Sequence, residues 1–185
     1  CRRSVSMLRQ ARESGINVTA DTPLANLLYT EDAVTGYNSL YNVQPPLRSE
    51  RDRQALLEAV ASGELAISSN HHPHELSAKK APFSDAESGM SQYDHFFSHA
   101  LTLVHKDELS VDSLLRATST LPAHILGINQ TLIEGSDFNA VLFDPEGDNL
   151  ITASTLTSRG HNHPALGKTL KGRISRVFVE GQQLL

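Results

Sequence analysis

The sequence predicts an α/β protein in which short parallel strands alternate with helices, followed by a smaller all-β part. Three observations carry this. Residues 3–69 repeat a helix-then-strand pattern. Polar residues collect where those strands end, at Asp21, Gln44 and Asn70-His71, which is where parallel α/β folds place their chemistry. From residue 131 the pattern turns to strands. A doubly wound sheet and a (β/α)8 barrel both meet this description.

Each element has a local reason. Residues 3–14 place Val5, Leu8 and Ala11 on one helical face, and Gly15 stops the helix. Ile16-Asn17-Val18-Thr19-Ala20 is short and β-branched and reads as a strand broken by Asp21-Thr22-Pro23. Residues 40–43 read as a second strand, ended by Pro45-Pro46. Ser49 and Asp52 form a capping box for a helix that turns Leu56, Ala59 and Val60 inward and stops at Gly63. Leu65-Ala66-Ile67-Ser68 is a third strand. Residues 75–90, with Pro82 and Gly89, read as an ordered loop. A helix over 91–105, opened by Ser91 and Asp94, turns Phe96, Phe97, Ala100, Leu101 and Val104 inward. Shorter helices follow at 110–118 and 122–126, with Pro122 in the first turn and Gly127 as C-cap. Residues 139–143, closed by Asp144-Pro145, and 173–179, running into the turn Glu180-Gly181, read as strands of a small sheet.

The 185 residues are 39% hydrophobic, which excludes a disordered chain. No apolar run nears the ~20 residues that span a bilayer. Cys1 is the only cysteine, so neither an intrachain disulfide nor a multi-cysteine zinc site can form; this fits the cytoplasm. A net charge of −5 and no basic stripe argue against nucleic acid. Lys79-Lys80 reads as solvated surface. Cys1-Arg2-Arg3-Ser4 is basic but no apolar stretch follows it, so no signal peptide is read. Without an initiating Met the sequence reads as starting inside a longer protein.

Asn70-His71-His72-Pro73-His74-Glu75 is the densest set of candidate ligands. Imidazoles after a strand end could bind zinc or iron. Adjacent His71 and His72 diverge in extended chain, however, and Pro73 constrains His72 and His74, so a polar loop of hydrogen-bonding histidines is the favoured reading. His161-Asn162-His163-Pro164 reads as a turn, and His95, His99, His105 and His124 as surface or cap residues. Arg48, behind two prolines, could clamp a carboxylate or pair with an acidic residue of its own helix start. Ser68 and Ser69 lack a neighbouring base and a nucleophile-elbow pattern. There is no Gly-rich phosphate loop.

Six segments occur together: Gln44-Pro45-Pro46-Leu47-Arg48-Ser49-Glu50, Asn70-His71-His72-Pro73-His74, Ala81-Pro82-Phe83, Pro122-Ala123-His124-Ile125-Leu126-Gly127, Phe138 to Pro145, and Ser158-Arg159-Gly160-His161-Asn162-His163-Pro164. In this order, and over nearly the whole chain, they resemble the dihydroorotases of the amidohydrolase superfamily. The resemblance implies the C-terminal part of a metal-dependent-hydrolase (β/α)8 barrel with strands of a small β-sandwich. Residues 16–20, 40–43 and 65–69 would be the last three barrel strands. Residues 1–127 would be the barrel portion with its terminal helices, and residues 128–185 the sandwich segment.

The departures from the family pattern concern chemistry. Active members hold zinc with a His-x-His, a carbamylated lysine, two later histidines and the aspartate of Asp-His-Ala-Pro-His, which also shuttles the proton. Asn70 stands at that aspartate's position, and an amide is no general base at neutral pH. Pro23-Leu24-Ala25-Asn26 stands where a Pro-His-His segment supplies a ligand. Gln44 replaces a substrate-contacting asparagine. Gln44, Arg48 and His74 are then vestigial substrate-binding positions, and no metal ligand set is expected. The pattern resembles the non-catalytic dihydroorotase-like subunits that assemble with aspartate carbamoyltransferase in pyrimidine biosynthesis. That likeness implies an oligomer, no cofactor, and neither a nucleic-acid nor a membrane partner. Two enzymatic readings stand against it. One is an active zinc dihydroorotase converting dihydroorotate to carbamoyl aspartate. The other is an amidohydrolase acting on another cyclic amide through His72 or His74.

Overall fold

The computed structural model describes residues 1–128 and 132–185. Helix α1 (Arg2–Glu13) buries Val5 and leads to strand β1 (Asp21–Pro23), which runs directly into helix α2 (Leu24–Leu28). Helix α3 (Glu50–Ala61) returns the chain to strand β2 (Ala66–Ser68), parallel to β1 with Asp21 opposite Ala66 and Pro23 opposite Ser68. This is a right-sized βαβ crossover. Ser49 caps α3 as the sequence predicts, its side chain accepting from the Asp52 amide. The buried faces of α1, α2 and α3 close on Leu65 and Ile67, with Leu101 and Leu103 of the later helix α4 (Phe96–His105).

Two of the three expected barrel strands form. The first lies at Asp21–Pro23, not at residues 16–20: the Ala20 carbonyl takes the Ala66 amide, so the ladder starts where Ile16-Asn17-Val18-Thr19 ends. Pro23 has no N–H to donate and pairs in register opposite Ser68. Residues 40–43 are no strand. Ser39–Tyr41 form a 3-10 turn capped by the Asn38 side chain, and the Ser39 and Asn42 carbonyls accept from the Lys79 ammonium. Those carbonyls are therefore unavailable to a ladder.

Lys79 is itself a correction. It is 6% exposed, and its ammonium also donates to the Glu87 carbonyl at 2.6 Å. Three carbonyls replace its hydration, and burial moves its pKa downward.

Helix α4 starts at Phe96 rather than residue 91. Asp94 does not cap it, because its Oδ1 accepts the Thr157 and Ser158 amides at 2.9 and 3.2 Å instead. The two short helices expected over 110–126 are one continuous stretch: α5 (Val111–Leu115), a π turn (Arg116–Thr120) and α6 (Leu121–Leu126). The wide turn lies just ahead of Pro122, whose missing N–H would leave a gap in a regular helix. Gly127 ends it in the left-handed conformation, φ 67°.

Strands β3 (Ala140–Leu150), β4 (Thr169–Val179) and β5 (Gln182–Gln183) form an antiparallel sheet. Asp144-Pro145 does not end β3, which passes it through a bulge between Asp144 and Asp148. The sheet packs on α4, with Phe97 and Phe143 edge to face at 4.6 Å and the Ser98 hydroxyl donating to the Gly172 carbonyl. A Cβ on Gly172 would strike Leu101. No helix among the described residues is long and apolar enough to cross a membrane.

Candidate functional site

The site lies at the C-terminal ends of β1 and β2. Chain leaving β2 reaches Asn70, which takes a left-handed turn at φ 43° that asparagine tolerates better than most residues. Its carboxamide donates to the Gln44 carbonyl at 2.7 Å, tying the loop after β2 to the segment ahead of α3. Gln44 is exposed and precedes the cis peptide to Pro45. Arg48 points its guanidinium along its own helix start, 3.8 Å from Asp52. It also borders a cavity of about 430 Å³ walled by α1, β1 and Pro45-Pro46. Asn26 lines the same cavity. Its Nδ2 donates to the Pro46 carbonyl, while its buried Oδ1 has no protein partner.

His71 is locked at both ring nitrogens. Its Nδ1 accepts the Gln92 and Tyr93 amides, each at 3.1 Å. The ring proton must then sit on Nε2, 3.2 Å from the Ser158 hydroxyl. This tautomer cannot deprotonate Ser158, so the pair is no hydrolase dyad. Burial lowers the pKa of His71, with Asp94 opposing. Burial would raise the pKa of Asp94, but hydrogen bonds from Ser158 and the Thr157 and Ser158 amides outweigh it and hold it low.

His74 donates its amide to Asn162 Oδ1 at 2.7 Å and sets its Nε2 3.0 Å from the Ser88 carbonyl. Asn162 is fully buried and also donates to the carbonyls of His72 and Gly89. Gly160 fits beside Pro73 and His74 so closely that a Cβ there would lie 2.5 Å from the His74 nitrogen. The loop around residues 157–165 thus clasps the 70–74 segment. His72 is exposed and contributes its backbone.

Residues expected to be a turn or surface form a third layer. His163 is 1% exposed and His99 3%. His95, at the N-cap of α4, is also buried. Ring centroids separate His163 from His95 by 6.0 Å and from His99 by 5.4 Å. Tyr29 places its hydroxyl 2.8 Å from His99 Nε2. Burial drives the pKa of His99 down to about 3 and that of His163 to about 4.

At the family's ligand positions that this chain covers, the residues present do not fit the zinc that the resemblance implies. Asn70 turns an amide N–H toward Gln44, both nitrogens of His71 are engaged, and Leu24 and Ala25 bring no donor. Among the described residues no three His, Cys, Asp or Glu side chains converge on a metal position. The sequence places Asp94 at a helix start, Asn162 and His163 in a turn, and His99 and Lys79 on the surface, and gives none of them these roles. Asn162 and His163 also lie in the Ser158 to Pro164 segment that carries the resemblance.

No family model matches the chain. It is 41% identical over 181 residues to a dihydroorotase-like protein of Pseudomonas aeruginosa, covering 97% of this chain and 43% of that protein. It is 37% identical over 181 residues to a dihydroorotase of Syntrophus aciditrophicus, covering 97% of this chain and 42% of that protein. The chain thus spans about two fifths of the length of these curated relatives. Among solved structures, a D-hydantoinase superposes with a TM-score of 0.86 at 21% identity, over 100% of this chain and 43% of its own. The L-hydantoinase of Arthrobacter aurescens does so at 0.85 and 25% identity, over 99% and 42%. A Saccharomyces cerevisiae dihydroorotase matches at 0.76 and 14% identity, over 94% and 49%. These superpositions bear out the amidohydrolase-barrel fold class.

Proposed function

We propose that this chain is part of a dihydroorotase-family protein and that it serves pyrimidine biosynthesis as a non-catalytic subunit associated with aspartate carbamoyltransferase. The observation that carries this is Asn70. At the position of the family's proton-shuttling aspartate it spends its side chain as a donor to Gln44. A carboxamide neither accepts a proton at neutral pH nor supplies the negative charge that helps hold zinc. His71 and His74, the imidazoles that persist, are engaged in bracing the backbone. A scaffold kept in this detail while its base is lost fits retention for a surface, and hence an oligomeric, cytoplasmic assembly.

The competing reading is an active zinc dihydroorotase, favoured by the 37% identity to a relative bearing that name. Co-expression with the transcarbamoylase, followed by size-exclusion chromatography, tests the proposal. Co-elution in fixed stoichiometry, with transcarbamoylase activity falling when this protein is withheld, is the expected result. Independent elution with undiminished activity would overturn it.

A further inference from the structure

His163 sits where a proton would do structural work. Its Nδ1 accepts the Ala165 amide at 3.1 Å, so the neutral ring carries its hydrogen on Nε2, which is buried without a partner among the described residues. Charging this ring requires a second proton on Nδ1, the atom already occupied by the Ala165 N–H. Two donors cannot share that contact, so protonation must break the Ala165 bond and leave the turn at 163–165 to the Leu166 amide on the His163 carbonyl and the Lys168 amide on the Ala165 carbonyl. The neighbouring Asn162 holds the His74 amide and the His72 and Gly89 carbonyls, so a displaced turn withdraws the clasp on the strand-end segment.

We propose that His163 is an acid-released latch, whose protonation frees the 157–165 loop and with it the 70–74 segment at the strand ends. The surroundings oppose the charge. His95 and His99 pack against the ring from α4, with Tyr29 behind His99. Asp94 favours the charged form of His163, while His95 and His71 disfavour it; Lys168 and Lys106 disfavour the charged form of the adjacent His99. Burial is the largest influence and sets the pKa of His163 to about 4 while the latch is closed. In an opened loop the ring would regain its ordinary affinity near 6.5, so acid favours the open form. The latch is a property of the loop and does not depend on whether the strand ends turn over a substrate.

Hydrogen exchange of the full chain, corrected for intrinsic rates, reads the opening at the Ala165 and His74 amides. Opening should grow about tenfold for each pH unit below ~6.5. His163→Asn keeps an acceptor near the Nδ1 position but cannot titrate, so its opening should be flat across the same range. Equal wild-type protection at pH 7 and pH 5, or an unchanged rise in H163N, would overturn the latch. Should that variant fail to fold, nitrogen NMR of the wild-type ring decides. An Nε2–H tautomer at neutral pH, with protonation tracking the loss of Ala165 protection, supports it, and an Nδ1–H tautomer or protonation without that loss refutes it.

Discussion

The strand-end segment and the layer beneath it use histidine in opposite ways. At the strand ends His71 commits both ring nitrogens and His74 commits its amide and one ring nitrogen, all to fixed partners. Beneath them His99 and His163 are sealed from solvent, and each keeps one nitrogen without a partner. Imidazoles needed for chemistry must be free to meet a ligand, and the ring of His71 is not. Imidazoles packed like aromatic rings must stay neutral, and those below are held so by burial. A row of histidines after a strand therefore need not be a metal site; here His71 and His74 brace the backbone, while His99 and His163 pack as buried rings.

Acid should separate the two layers most strongly. His99 and His163 have folded-state pKa values of about 3 and about 4, below the ordinary 6.5. Above pH ~6.5 both states of the chain are neutral at these sites and nothing changes. As pH falls below that, the unfolded chain takes up protons that the folded chain refuses. Stability then drops by up to ~1.4 kcal/mol per pH unit for each ring until its folded value is reached. Urea unfolding at pH 7 and pH 5 checks this, and His163→Asn should flatten part of the slope.

Asn162→Ala comes next. It leaves the His74 amide and the His72 and Gly89 carbonyls without their partner inside the protein. A loss of about 3 kcal/mol or more is expected from thermal or urea unfolding. Lys79→Met should cost about 2 kcal/mol, because the Ser39, Asn42 and Glu87 carbonyls lose a shared donor while the apolar stem is kept. Asn70→Asp should cost only about 1 kcal/mol, since the contact is exposed, and it turns a carboxylate against the Gln44 carbonyl.

How much of this was legible depends on how local each cause is. The cap at Ser49 and the left-handed stops at Gly63 and Gly127 are set by residues within one turn, and they form as read. The strand at 21–23 was misplaced because Asp21-Thr22-Pro23 looks like a breaker, yet it pairs in register with Ala66–Ser68. Asp94 matches a capping box, yet it answers to amides more than sixty residues away in sequence, at Thr157 and Ser158. Lys79 and Asn162 likewise act on partners that only the fold brings near. For the candidate site, the sequence drew attention to Asn70, but not to its role as donor to the Gln44 carbonyl.

The measurement closest to the central claim is dihydroorotate hydrolysis by the purified full-length protein, with zinc content determined alongside. The account predicts no turnover above the uncatalysed rate with or without added zinc, and no change on Asn70→Ala. Hydrolysis that requires zinc, is abolished by a chelator and is lost in N70A would contradict it.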